Sequence, residues 1–278
     1  MSINKFRTKA RAIELLGRKQ IRDDITALIE LMKNSYDADA ESVTVLFDNL
    51  GTDQSYIIMY DDGHGMLEND VVNKWLVLGT DSKKKDKKHK ISNIKKRPLM
   101  GEKGIGRLAS AALGEQLWMF TKHSSQDWHS LYLNWNLFEI PDLYLEDVNI
   151  PLFFNGHPNE IISEKFLESM MNIQLDNLKN NIWYDSNGVV KEQYRDVYFR
   201  IKQQVERCLI PIAQLAEIIH SIDEISQGTI LVIQDLRHSW GKSLMIPEID
   251  LKTIWLPKSI IALGRLLIAL IIPPMILL

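Results

Sequence analysis

The sequence predicts an α/β sandwich built on a mixed sheet, and three features of its 278 residues point that way. β-rich runs come in pairs with turn residues between them. An amphipathic helical stretch precedes the first pair. A long, mostly helical region separates the second pair from a late strand. Such alternation buries a sheet face against helices. A parallel dinucleotide-binding sheet fits less well, because no Gly-rich turn follows an early strand.

Taken in order, residues 23–39 (DDITALIELMKNSYDAD) read as a helix. Ile25, Leu28, Ile29, Met32 and Tyr36 recur at helical spacing and make one apolar stripe centred on Met32. The runs SVTVLFD and SYIIMYD (42–48 and 55–61) are β-rich with Asn49, Gly51 and Asp53 between them, which predicts a hairpin. Residues 70–79 read as a short helix. QLWMFTK and WHSLYLNW predict a second hairpin, residues 143–226 are mostly helical, and GTILVIQDL (Gly228–Leu236) returns to strand.

Composition narrows the function classes. Hydrophobic residues at 45% and charged residues at 25% are ordinary globular values and exclude wholesale disorder. A formal charge of −3 gives no global attraction to nucleic acid or anionic lipid, so any basic function is local. The single Cys208 excludes an internal disulfide framework and points to a reducing compartment. The seven histidines form no H-x-x-x-H or His/Cys pattern, so no zinc site is predicted. The first residues carry neither a long apolar core nor a small-residue cleavage site, and a cytoplasmic location is expected.

Three stretches carry chemistry. On the first helix, Glu30, Asn34 and Asp37 fall within a sector of roughly 60°, on the face away from the apolar stripe. Alone, that is what any solvated helix face shows. In YDDGHGM, Asp61 ends an apolar strand run, and Gly63 and Gly65 let the backbone turn or approach a flat ligand closely. A carboxylate held there accepts from an exocyclic amine and repels a carbonyl, which favours adenine over guanine. An ordinary Asp/Gly turn after a strand reads the same way by itself. In GEKGIGR, glycines 101, 104 and 106 precede a helix, so successive N–H groups make an anion cradle. Lys103 and Arg107 add charge for phosphate oxygens. The turn is neither a Walker A motif nor a Rossmann fingerprint.

In this order, E-L-x-x-N-x-x-D-A (residues 30–38), D-x-G-x-G-M (61–66) and G-x-x-G-x-G (101–106) resemble the GHKL, or Bergerat-fold, ATPases. That superfamily includes the ninety-kilodalton heat-shock chaperones, MutL-type mismatch-repair ATPases, type II topoisomerase ATPase subunits, MORC-type ATPases and sensor histidine kinases. A fourth element is Gly228-Thr229 at the start of the late strand. The resemblance covers roughly residues 10–120 and 228–240. It implies a two-layer α/β sandwich with a mixed, mainly antiparallel sheet and a mostly helical insertion. It also implies Mg-ATP as ligand. By it Glu30 is the general base, Asn34 the Mg²⁺ ligand, and Asp61 the reader of the adenine amine, supported by Thr229. Gly63, Gly65 and Met66 belong to the same turn. Lys103, Gly104, Ile105, Gly106 and Arg107 form the phosphate loop, and Asp37 lies near the nucleotide or supports Asn34.

The resemblance also divides the chain into an ATP-binding domain over 1–258, with a lid at 79–106 and a helical insertion at 143–226, and an apolar tail at 259–278. Nine Lys or Arg residues between 83 and 97 read as the mobile lid, with nucleic-acid contact as the lesser reading. The tail contains Arg265 and ends near Pro273-Pro274, so packing on a neighbour is expected over membrane insertion. Its end at Leu278 suggests a fragment, a truncated gene, or a small subunit with a separate partner. Slow hydrolysis with ATP-driven lid closure and homodimerisation, acting on an unidentified protein client, is the expectation. The alternatives are an ATP-gated interaction module without significant turnover, and histidine-kinase-type phosphotransfer. The latter fits poorly: Glu30 is present, and no His precedes His64.

Overall fold

The computed structural model describes residues 7–21, 23–50, 52–78, 92, 95–100, 106–208, 210–237 and 253–255. After a short helix α1 (Ala12–Leu16), helix α2 spans Asp24–Asp37. It starts where the Asp23 carboxylate accepts from the Thr26 N–H at 2.7 Å, satisfying an otherwise orphaned helix-end donor. It stops at Ala38, and Asp39, at φ 64°, redirects the chain into the sheet.

Seven strands make one sheet: β1 (Val43–Asp48), β2 (Tyr56–Asp61), β3 (Gly114–Lys122), β4 (Trp128–Asn134), β5 (Leu152–Gly156), β6 (Gly228–Leu236) and β7 (Thr253–Trp255). Their order is β5-β4-β3-β6-β2-β1-β7. Both predicted hairpins are there, β1–β2 and β3–β4. Every pairing among the described residues is antiparallel, so the parallel component of the expected mixed sheet is not found. The reason is topological. β2 and β3 run in the same direction, as a crossover connection requires, but β6 lies between them and pairs antiparallel with each.

One sheet face carries α2 and a one-turn helix α3 (Ser110–Leu113). The side of α2 that is fully buried is Ala27, Leu31 and Ser35, one residue back from the predicted Met32 line. At about 100° per residue this rotates the helix by more than a quarter turn. Small residues at 27 and 35 let its backbone approach the strands. Leu28, Met32 and Tyr36 pack laterally. The polar line of Glu30 and Asn34 therefore flanks the sheet instead of facing away from it.

The opposite face is covered by α4 (Glu164–Asp176), α5 (Arg195–Glu206) and α6 (Ile212–Ile225). Trp118 stacks on Tyr132 at 4.0 Å between centroids, and its Nε1–H points to Cys208 Sγ just after α5. Trp128 Nε1–H donates to Asp223, and Tyr56 meets Gln214, both on α6. Residues 143–226 are thus mostly helical as predicted, but they also contain strand β5. The short helix expected at 70–79 is instead one α turn (Glu68–Asp70) running into a π-helical turn (Val71–Trp75). Among the described residues no helix is long and apolar enough to cross a membrane. The apolar tail lies outside the described residues.

Candidate functional site

Asp61 ends β2 in the middle of the sheet, opposite Val43 on one side and Thr229 on the other. Only 8% of it is exposed. Oδ2 accepts from Ser35 Oγ at 2.7 Å and Oδ1 from the Gly63 N–H at 2.9 Å. Burial pushes the carboxyl up to about 6, because desolvation outweighs these two bonds; nearby Asp62 raises it further, and His64 lowers it.

The turn after Asp61 is fixed by its glycines. Gly65 sits at φ +63°, and a Cβ there would lie 1.9 Å from the Lys122 carbonyl oxygen. At Gly63 a Cβ would meet Ala38 O and Asp61 Oδ1 at 2.9 Å. The Met66 N–H donates to Thr121 Oγ1 at 3.0 Å, and Thr121 Oγ1 shares a hydrogen bond with Thr229 Oγ1 at 2.9 Å. One hydroxyl on β3 therefore ties the turn to the start of β6.

A cavity of about 300 Å³ opens above Asp61, within the range of small-ligand sites. Asn34, Asp61, Gly65, Met66, Gly106 and Thr229 line it, over a floor of Leu117, Met119 and Leu231. Gly106 is the described residue of the glycine motif that reaches it. A Cβ on Gly106 would lie 3.2 Å from Asn34 Oδ1 and 3.5 Å from Glu30 Oε2, so both polar side chains converge on this backbone. Gly106 then opens a 3₁₀ turn (Gly106–Ala109) that continues into α3.

Residues 24–145 match a family model described as histidine kinase-, DNA gyrase B- and HSP90-like ATPase. This stretch belongs to the GHKL ATPase superfamily. No curated protein matches the chain.

Six of the residues singled out in the sequence line the cavity, and Glu30 stands beside Gly106. Asp37, expected near the nucleotide or in support of Asn34, is not among the lining residues. Its Oδ1 accepts from the Met100 N–H at 2.7 Å and so anchors the approach to the glycine turn. Gly63 contacts Asp61 and is not part of the lining. Lys103, Gly104 and Ile105 lie outside the described residues, as does the Arg107 side chain. Sequence reasoning missed Ser35 and Thr121, and it gave no ligand role to His64, which is half-buried and lines the cavity. Its Nδ1–H donates to the Gly65 carbonyl at 2.7 Å. Helical spacing held a signal for Ser35, which lies four residues after buried Leu31.

Proposed function

We propose that this GHKL domain binds Mg-ATP with adenine at Asp61 and the phosphates at Gly106, and hydrolyses it slowly. The observation that carries the reading is one cavity lined by the buried Asp61 carboxylate, Asn34 and Gly106, with Glu30 Oε2 close to Gly106. Asp61 accepts from the exocyclic amine. Asn34 presents a carboxamide with no hydrogen-bond partner among the described residues, a fitting ligand for an ion that keeps several waters and phosphate oxygens. Among the described residues no group of three or more His, Cys, Asp or Glu converges, so a hard cation suits the donors better than zinc. When bound, Mg²⁺ neutralises developing phosphate charge. Glu30 orients the attacking water and takes its proton as the water oxygen bonds to the γ-phosphorus. The β–γ bridging bond breaks, leaving ADP and phosphate.

Lid closure, pairing of two protomers and action on a partner complete the proposal. Two cations of the basic run are engaged internally, which supports a lid over a nucleic-acid patch: Lys95 pairs with Glu41 at 2.6 Å, and Arg97 donates to Ala40 O at 2.7 Å. The N-terminal segment is held to its own chain by Ala10 N–H to Leu143 O and Leu145 N–H to Thr8 O, both 2.9 Å. These are bonds that a second copy could supply equally, and the segment is our exchange element. A reading without significant turnover, as an ATP-gated module, draws on one observation: Lys33 Nζ already occupies Glu30 Oε1 at 2.7 Å.

Titration with ATP, ADP and GTP, with and without Mg²⁺, tests the reading, with sedimentation on the same samples. ATP is expected to bind ahead of GTP, more tightly with Mg²⁺, and to shift the protein toward dimer. Equal binding of GTP would remove the role given to Asp61. Phosphate release at saturating ATP separates hydrolysis from gating.

A further inference from the structure

Glu30 has two oxygens with different neighbours. Oε2 faces Gly106, and Oε1 accepts from Lys33 Nζ, three residues along α2. The ammonium therefore sits on the same carboxylate whose other oxygen faces Gly106. Both side chains are about one-third exposed, at 35% and 32%. An i,i+3 pair in that much solvent is weak. A terminal phosphate brings more negative charge and several acceptor oxygens, so it competes well for the same ammonium. Lysine suits the exchange, since its four-carbon stem and three rotatable donors reach either partner with little change of backbone. Lys74, which lines the cavity, is held by Asp70 at 2.6 Å, and Lys95 by Glu41.

We propose that Lys33 is a latch on the base: it holds Glu30 Oε1 in the nucleotide-free protein and transfers to the terminal phosphate when ATP binds. The transfer puts a cation on the γ-phosphate and frees Glu30 to orient water. The proposal rests on the ATP reading above and adds a residue that distinguishes ATP from ADP.

Calorimetric titration of the full chain with ATP and with ADP, at fixed Mg²⁺, tests it in parent, Lys33→Met and Lys33→Arg. Loss of one charge-assisted hydrogen bond lowers affinity by about tenfold. Lys33→Met is expected to weaken ATP by about that factor and leave ADP unchanged, and Lys33→Arg to recover most of the ATP affinity. Unchanged binding, or equal weakening of both nucleotides, overturns the proposal. Unmasked repulsion from Glu30 would also weaken ATP, so the double variant Lys33→Met/Glu30→Gln decides between the two. It stays weak if Lys33 touches the phosphate, and its return to parental affinity overturns the latch. A parent that binds neither nucleotide removes the pocket reading and the latch with it, a result distinct from a parent that binds both and a variant that does not differ.

Discussion

Ser35 Oγ donates to Asp61 Oδ2 at 2.7 Å, from the residue that directly follows Asn34 in α2. Neighbouring positions of one helix turn thus serve the same cavity. The hydroxyl fixes the Asp61 carboxylate, and the carboxamide faces Gly106. Rotation of α2 about its axis would disturb both together, so the purine and phosphate contacts we propose share one rigid element.

That bond gives nucleotide binding a defined pH dependence. Accepting from an amine needs the ionised form of Asp61, whose carboxyl burial pushes up to about 6. ATP affinity is therefore expected to fall as pH drops through about 6. Ser35→Ala removes a donor that favours the ionised form, so the midpoint moves to higher pH; a threonine there keeps it. Folding stability has the opposite sign. The unfolded carboxyl ionises near its ordinary 3.8, so the nucleotide-free protein loses stability as pH rises from that value to about 6. The loss from this one group is on the order of 3 kcal/mol. Calorimetry and thermal unfolding from about pH 4 to pH 8 check both signs. A flat affinity profile would remove Asp61 from the contact.

Glu30→Ala is expected to retain ATP binding while lowering turnover by about 10²–10⁴-fold, the ordinary contribution of a positioned base. Phosphate release under saturating ATP measures it. Parental turnover in the variant would reassign the base.

β-rich runs bounded by turn residues made β1, β2, β3 and β4 legible, and β6 occupies the predicted Gly228–Leu236. α2 was legible from its stripe, yet its rotation was not. Apolar spacing reports how hydrophobic a face is, whereas small Ala27 and Ser35 decided which face meets the sheet. Strand β5 (LFFNG) was hidden because five residues of apolar and turn character fit a helical window equally well. The insertion of β6 between β2 and β3 is a non-local pairing with no trace in either strand alone. Ser35 and Thr121 are small polar residues whose roles exist only once Asp61 and Thr229 are brought beside them.

Two glycines with the same backbone sign separate strain from collision. Gly188, at φ +76°, has nothing within 4 Å of an added Cβ, so Gly188→Ala is expected to cost about 1–2 kcal/mol from conformation alone. Gly65, at φ +63°, would drive its Cβ into the Lys122 carbonyl. Gly65→Ala is expected to cost more, above about 3 kcal/mol, and to displace the Met66–Thr121–Thr229 chain. Urea unfolding of the two variants compares them directly. Equal losses would mean that the turn shifts freely and does not fix the pocket.

Arg237 joins the end of β6 to the helix that leaves the glycine turn. Its N–H donates to Leu113 O at 2.7 Å, and its guanidinium reaches Glu115, Glu139 and Asn136 at 3.1–3.2 Å, with 7% of the side chain exposed. Burial raises the Glu115 carboxyl, but hydrogen bonds from Asn136 and Gln204 and the charges of Arg237 and Arg200 outweigh it, leaving Glu115 below its usual range. A depressed carboxyl contributes stability above its unfolded value of 4.5 and loses it as pH falls through the folded value. Arg237→Met leaves two carboxylates without their shared cation and is expected to cost about 3–5 kcal/mol at neutral pH. The deficit should shrink in acid, where the Glu115 carboxyl is protonated and the parent has lost the same contribution. Urea midpoints at neutral pH and below 4.5 measure the difference. A deficit of equal size at both would assign the effect to lost packing, and the ion cluster would then contribute nothing of its own.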